Sequence, residues 1–306
     1  MYIKKLYLLL LLPVFLVGCA SNNSSNKGEY FSKIENPSID HVHGIGFPGG
    51  QSDLFLATHD GLLKLKDGQW FETTINNHDY MGFSPFKDGF YASGHPEEGT
   101  NFKNPFGIIK SLDEGKTIEK MKYYGAIDFH YVASSYETGA IYAVQPHENL
   151  SIEPGIYYND GKTNDWSSSS SNGIPLDSIT GIATHPADSN KVALLTTNGL
   201  FISGDNGKQF NQFASKSPIT SIYFAKDKLY FSSYLGNTST LSTYNLEAKE
   251  TIEIGRVELK EDAIQYMAMN PTNSDEIWFY TFKNSLYVSE DAGESWSIKV
   301  EQGKVL

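Results

Sequence analysis

The chain has 306 residues, 24 of them Lys or Arg and 36 Asp or Glu, for a formal charge of −12, and 13% of it is aromatic. So acidic a balance excludes nucleic acid or an anionic lipid surface as the main partner, since both need clustered Lys and Arg. Phosphate loops, dinucleotide fingerprints, His-Glu-x-x-His helices and EF-hand loops are absent from the sequence, which removes the metal and nucleotide chemistries those motifs carry.

In chain order, residues 1–18 place Lys4 and Lys5 ahead of an apolar run from Leu6 to Val17. A basic head and a short apolar core form an export signal, too short to span comfortably as a permanent helix. Its ending, Leu16-Val17-Gly18-Cys19, resembles a bacterial lipobox, which implies cleavage before Cys19 and a diacylglycerol on its thiol. Cys19 is the only cysteine, and its position favours lipidation over pairing or reactivity. Removing residues 1–18 leaves a formal charge of −14. Residues 19–28 are a polar tether with nothing to bury. These features predict a protein held by a lipid at the outer face of a bacterial cytoplasmic membrane.

Residues 29–306 are expected to form one all-β domain. Tyr, Phe, Thr and Ile are abundant, and Asp60-Gly61, Asp67-Gly68, Asp88-Gly89 and Asp160-Gly161 mark turns. A strand, turn, strand, turn pattern repeats six times, beginning near residues 41, 79, 128, 178, 218 and 263. Each copy continues into a second strand: LFLAT, FYASG, IYAVQ, KVALLT, LYFSS and EIWFYT. Four short strands per copy predict a six-bladed β-propeller. Tyr30 to Ile34 is expected to add at a sheet edge, because Glu294 to Val300 already supplies the last blade with a fourth strand.

Turns between third and fourth strands carry Ser111, Asp113 and Gly115, then Ser203, Asp205 and Gly207, then Ser289, Asp291, Gly293 and Trp296. They resemble the Asp-box, S-x-D-x-G-x-x-W, in which the Asp accepts turn amides and the Gly takes a positive φ. Asn159-Asp160-Gly161 with Trp166, and Asp67-Gly68 with Trp70, look like degraded copies. The motif marks a fold and leaves the chemistry open. Together HVHGIGF, LFLATHDGL, DYMGFSP, YASGHP, SLDEGKT and DFHYVAS, in this order, resemble a family of bacterial Asp-box (BNR-like) propeller lipoproteins labelled glycosyl hydrolase or sortilin-like. The match covers most of residues 29–306 and is strongest over 40–135.

Aligning the six inner strands gives one column of His43, Met81, His130, Thr180, Thr220 and Gln265. The column two residues earlier holds His41, Asp79, Asp128, Ser178, Pro218 and Ala263. First strands line a propeller's channel, and strand residues two apart share a face, so His41 and His43 are expected side by side, about 7 Å apart. Blades 1–3 thus send His, Asp and Met toward the axis, whereas blades 4–6 offer neutral groups. Turns and loops carrying His59, His95 and His147 open on the same face. His185 alone of the eight histidines falls at the opposite end of its strand. The one-sided clustering predicts a metal or other small-ligand site at the channel mouth. His41, His43, His130 and His95 form the leading set, with His59, Asp79 and Asp128 as further ligands or as acceptors fixing imidazole tautomers. Imidazole with carboxylate suits zinc, and a thioether at Met81 tilts the choice toward copper.

Two other functions stay open. A glycosidase needs paired carboxylates, for which Asp79 and Asp128 are the candidates; sialidase chemistry is set aside because Arg256 is the only arginine. A protein-docking or assembly module would use aromatic residues near the long loops, such as Phe102, Phe106, Tyr123 and Tyr124.

Overall fold

A computed structural model describes residues 29–169 and 173–306. Residues 1–28, where the sequence predicts an export signal, a lipidated Cys19 and a tether, lie outside the described residues. Six antiparallel sheets follow one another along the chain, four of them four-stranded and the first and last five-stranded. They form the six blades of a β-propeller. Inner strands are Gly44–Gly46, Asp79–Phe86, Tyr131–Ser134, Ile179–Thr184, Ile219–Ala225 and Ile264–Met269. Among the described residues no helix is long and apolar enough to cross a membrane.

The second strand of each blade explains why the blades stack. Leu54–Thr58, Ile141–Gln145, Val192–Thr196 and Ile277–Thr281 are buried at every position. A strand covered on both faces needs apolar side chains at successive positions, in place of alternation. Both faces are filled because each apolar cluster bridges two adjacent sheets. One runs Phe55, Leu62, Tyr80, Phe90 and Ile109 between blades 1 and 2; another runs Leu241, Ile264 and Phe279 between blades 5 and 6. The core is therefore a ring of wedges around a channel.

Blade 1 meets blade 6 through Ile39, Val42, Leu56, Trp278, Tyr280 and Val300. The seam is tied by the Ile39 amide, which donates to the Gly303 carbonyl at 2.9 Å, and by a bridge between Ser38 and Lys304. Phe31–Ile34 pairs with Gln69–Thr73 at the outer edge of blade 1, as the sequence predicts.

The three S-x-D-x-G turns share one hydrogen-bond pattern. In the last, the Gly293 amide donates to Ser289 Oγ at 2.8 Å, and the Ser295 amide to Asp291 Oδ1 at 2.8 Å. Asn159 stands in for the serine in blade 3, its Oδ1 accepting from the Gly161 amide. Asp67-Gly68 departs from the sequence expectation: both have positive φ, 49° and 71°, between the paired Lys66 and Gln69. That is a two-residue hairpin of type I′ and not a degraded box.

Candidate functional site

A bulge sets the position of His43. Gly44 pairs with Ala57, and the His43 amide also donates to the Ala57 carbonyl at 2.8 Å, so two residues of the inner strand oppose one. Such an extra residue re-aims a side chain. The same irregularity sets aside Thr180, Thr220 and Gln265 in blades 4–6, and all three line the central channel with His43 and His130. Blade 2 differs. Its bulge falls one residue later, between Met81 and Ser84, so Gly82 lines the channel and Met81, half-buried and paired with Ser93, is not in its lining. The thioether argument for copper goes with it.

His41 also departs from strand geometry. Its φ is 47° and the strand begins only at Gly44, so alternation does not place it beside His43. Its exposed ring instead lies edge-on to His59, with centroids 5.1 Å apart.

His59 reaches the mouth from the turn between the second and third strands of blade 1. Thr58 pins that turn, its hydroxyl donating to the Gly61 carbonyl and accepting from the Asp60 amide. Thr196 braces Asn198 and Gly199 identically in blade 4. The scaffold is shared, and only blade 1 mounts an imidazole on it. Asp79 opens the inner strand of blade 2, opposite His95. Gly94, at φ 109°, lets the two strands approach there.

Two imidazoles and one carboxylate converge from blades 1 and 2. His43 Nε2 lies 3.3 Å from His59 Nε2 and 3.4 Å from Asp79 Oδ1, and His59 Nδ1 lies 3.0 Å from Asp79 Oδ2. Each residue offers one donor atom within 4.8 Å of the other two. One blade further, His130 Nε2 and His95 Nε2 flank Asp128 Oδ2 at 3.0 and 3.4 Å, while His95 Nδ1 sits 2.6 Å from Asn104 Oδ1. Asp79 Oδ1 and Asp128 Oδ1 are buried without a hydrogen-bond partner.

The electrostatics separate the rings. Burial lowers the His43 pKa, against the pull of Asp79 and with the repulsion of His59, His130 and His41. His130 is raised by its hydrogen bond to Asp128. Burial would raise Asp128, yet His130 and His95 hold it below the usual carboxylate range. Next to these groups, Asp60, Glu72, Glu97 and Glu98 line a cleft that includes His59 and Asp79 and contains no Lys or Arg.

The remaining histidines are apart. His78 is fully buried against Tyr80, Phe102 and Phe106; its Nδ1 accepts the Glu97 amide at 2.9 Å, and burial lowers its pKa to about 4. It anchors the loop that carries His95. His147 is exposed on the blade 3 loop, and His185 is buried at the far end, accepting amides of Ala187 and Asp188. Asn104 had no signal in the repeat, because it lies in an irregular loop between strands.

No family model and no curated protein matches the chain. Solved structures do. A GH74 enzyme from Niastella koreensis superposes with a TM-score of 0.57 at 13% identity, over 89% of this chain and 47% of that one. The chain thus spans about half the length of that enzyme. YCF48 bound to D1 peptide matches at 0.53 and 12% identity, over 89% and 84% of the two chains. YCF48 from Cyanidioschyzon merolae matches at 0.52 and 15%, over 90% of each. At these identities the likeness is one of fold.

Proposed function

We propose that this protein binds a divalent transition-metal ion at the channel mouth through His43, His59 and Asp79, and that Cys19 holds it by a lipid at the outer face of a bacterial membrane. One observation carries the metal reading: the spacing of the donors. Around an ion with bonds of about 2.0–2.1 Å, tetrahedral ligand atoms stand roughly 3.3–3.4 Å apart. His43 Nε2 keeps 3.3 Å to His59 Nε2 and 3.4 Å to Asp79 Oδ1. Burial that disfavours the charged form of His43 leaves a neutral ring with a lone pair to give. His59 Nδ1 lies 3.0 Å from Asp79 Oδ2, the kind of carboxylate contact that orients a metal-ligating imidazole and turns its Nε2 to the centre. Nitrogen and oxygen donors without sulfur favour zinc, with copper(II) next.

The test is elemental analysis of the full chain, purified without chelator and reconstituted with zinc chloride. Bound zinc is expected, and His43→Ala with His59→Ala removes an equivalent. A wild-type protein that retains none refutes the assignment.

Glycoside hydrolysis by Asp79 and Asp128 is less well supported. One carboxyl of such a pair must stay protonated near neutrality, for which its pKa is raised. Asp128 is shifted the other way.

Protein docking on the same face is a second reading, favoured by a specific observation. Ile75, Leu150, Leu235 and Phe282 are exposed large hydrophobics, and all four lie in or beside loops on the mouth side. The likeness to YCF48 bound to D1 peptide is consistent with it. A photo-crosslinker at Leu150 should then trap one membrane protein, and only while the other three side chains are intact.

A further inference from the structure

We propose that the mouth is turned toward the membrane and that its occupant is a basic outer loop of a protein embedded there. This rests on the lipid anchor at Cys19 and gives the docking reading its partner; it does not depend on the metal.

The first described strand decides the facing. In blade 1 the fourth strand, Gln69–Thr73, runs toward the mouth, because the chain goes on from it to open blade 2 at Asp79. Phe31–Ile34 runs antiparallel to that strand, with Phe31 opposite Thr73 and Ile34 opposite Trp70. The chain therefore reaches blade 1 at the mouth and then descends its outer edge. Two hydrogen bonds fix the point of entry. The Thr74 amide donates to the Tyr30 carbonyl at 2.9 Å, and the Thr74 hydroxyl donates to the Glu29 carbonyl at 2.9 Å. Thr73 and Thr74 line the acidic cleft with His59 and Asp79, so Glu29 is tied to the wall of that cleft.

Reach turns this entry point into an orientation. From Cys19 to Glu29 is ten residues, which span at most about 35 Å. The six residues of Gly61–Lys66 alone make blade 1 about 20 Å tall. Turning the opposite end to the bilayer would use more than half of the reach simply to pass the blade, whereas the mouth needs none of it. A lipid on Cys19 thus keeps the mouth next to the headgroups.

The chemistry of the face names the occupant. Ile75, which follows Thr74, and Leu150, Leu235 and Phe282 are exposed on the mouth side. The adjoining cleft carries Asp60, Glu72, Glu97 and Glu98 and no Lys or Arg. A lipid surface recruits Lys and Arg, and a face with carboxylates in their place gains nothing from it. A protein loop bearing Lys or Arg pairs with those carboxylates while its apolar side chains cover the exposed hydrophobics.

The experiment places one dye on the full lipidated chain in its native membranes, Cys19 being the only native cysteine and blocked by its lipid. The dye sits at Thr197→Cys, on an exposed turn of the mouth, or at Leu112→Cys, exposed at the opposite end, and a lipid with a nitroxide headgroup quenches it. Quenching of the Thr197→Cys dye should exceed that of the Leu112→Cys dye by about threefold or more. A second pair carries about forty Gly and Ser residues inserted after Gly28, so that the tether no longer sets the facing. In native membranes this pair should keep the bias, because the partner holds the mouth, and should lose it in about 0.5 M NaCl as the carboxylates are screened. In protein-free vesicles of the extracted lipids it should show no bias. Equal or stronger quenching of the Leu112→Cys dye with the natural tether overturns the facing. A lengthened chain that keeps its bias in the vesicles makes the bilayer the occupant, and one that loses it in native membranes at low salt has no partner; either result overturns the basic loop. Wild type that washes off membranes as freely as Cys19→Ser overturns the anchor and this inference together, while the metal reading stands.

Discussion

Gly94→Ala tests how the fold holds the site together. A Cβ at Gly94 would stand 2.0 Å from the Asp79 carbonyl oxygen and 2.8 Å from the Met81 amide nitrogen, and the residue has φ 109°. Neither neighbour is a flexible tip. Both are backbone of the ladder in which Tyr80 pairs with Gly94 and Asp79 with His95. Reaching an ordinary contact near 3.4 Å requires the strands to part by roughly 1.4 Å at the residue that sets Asp79. Overpacking costs about 1–3 kcal/mol and a non-glycine residue held at such a φ about 1–3 more. The sum, roughly 2–6 kcal/mol, lowers Tm by about 4–12 °C for a domain of this size. Displacing Asp79 by even part of that opening breaks its contacts of 3.4 Å to His43 and 3.0 Å to His59. Zinc affinity at the proposed His43, His59 and Asp79 site should therefore fall at least tenfold. Gly99→Ala is the control: φ is 82°, but nothing lies within 4 Å of its Cβ, so it incurs strain alone. The readouts are calorimetric Tm and zinc titration. If Gly94→Ala matches Gly99→Ala in both, the ladder does not position Asp79 and the reasoning fails.

Three further outcomes are expected. His78→Ala leaves the Glu97 amide without its acceptor and a hole among Tyr80, Phe102 and Phe106; it should cost about 2–5 kcal/mol and make residues 96–104 the first proteolytic cut, whereas unchanged cleavage would separate His78 from the loop. Asp291 is held down at about 2 by the Ser295 hydroxyl and amide and by Ser289. Its native pKa lies below the ordinary 3.8, so its contribution is complete above about pH 4 and lost as pH falls toward 2. The difference in urea midpoint between wild type and Asp291→Asn should then shrink across that window, and a pH-independent difference would contradict the assignment. Aryl glycosides should release no nitrophenol with the purified protein; turnover that disappears in Asp128→Asn would restore the hydrolase reading.

The fold was legible because its cause is local and repeated. Completely buried second strands need unbroken apolar runs, and LFLAT, IYAVQ and IWFYT supply them. The placement of His43, His130, Thr180, Thr220 and Gln265 around one channel followed from the same repetition. Met81 shows where repetition stops informing. Its column neighbours are bulged residues, and a bulge displaced by one position changes which side chain reaches the axis, without any mark in composition. His41 fails for a related reason: a residue at positive φ lies outside strand alternation. His59 sits in a turn, which has no period to align, yet its Nε2 lies against His43 and its Nδ1 against Asp79. Asn104 belongs to an irregular loop, and only coordinates reveal its contact with His95.

The channel bears on which kind of metal centre the proposed one would be. Its far end is lined by the bulkier Phe47, Tyr136, Pro186, Phe224 and Met269, and the Tyr136 hydroxyl donates to the Phe47 carbonyl at 3.1 Å. At the mouth His43 shares the channel lining with neutral Thr180, Thr220 and Gln265. None of those three is an anionic or imidazole ligand, so nothing from blades 4–6 competes to complete a fourth strong bond. The ring needs no ion to stay shut either, since the blade 1 to blade 6 seam has its own apolar cluster and backbone ties. Structural zinc sites are closed by four protein ligands and contribute the folding energy; sites that act on something keep a position open. An ion held as proposed by His43, His59 and Asp79, with only hydroxyl and amide groups offered by Thr180, Thr220 and Gln265, would fall in the second class.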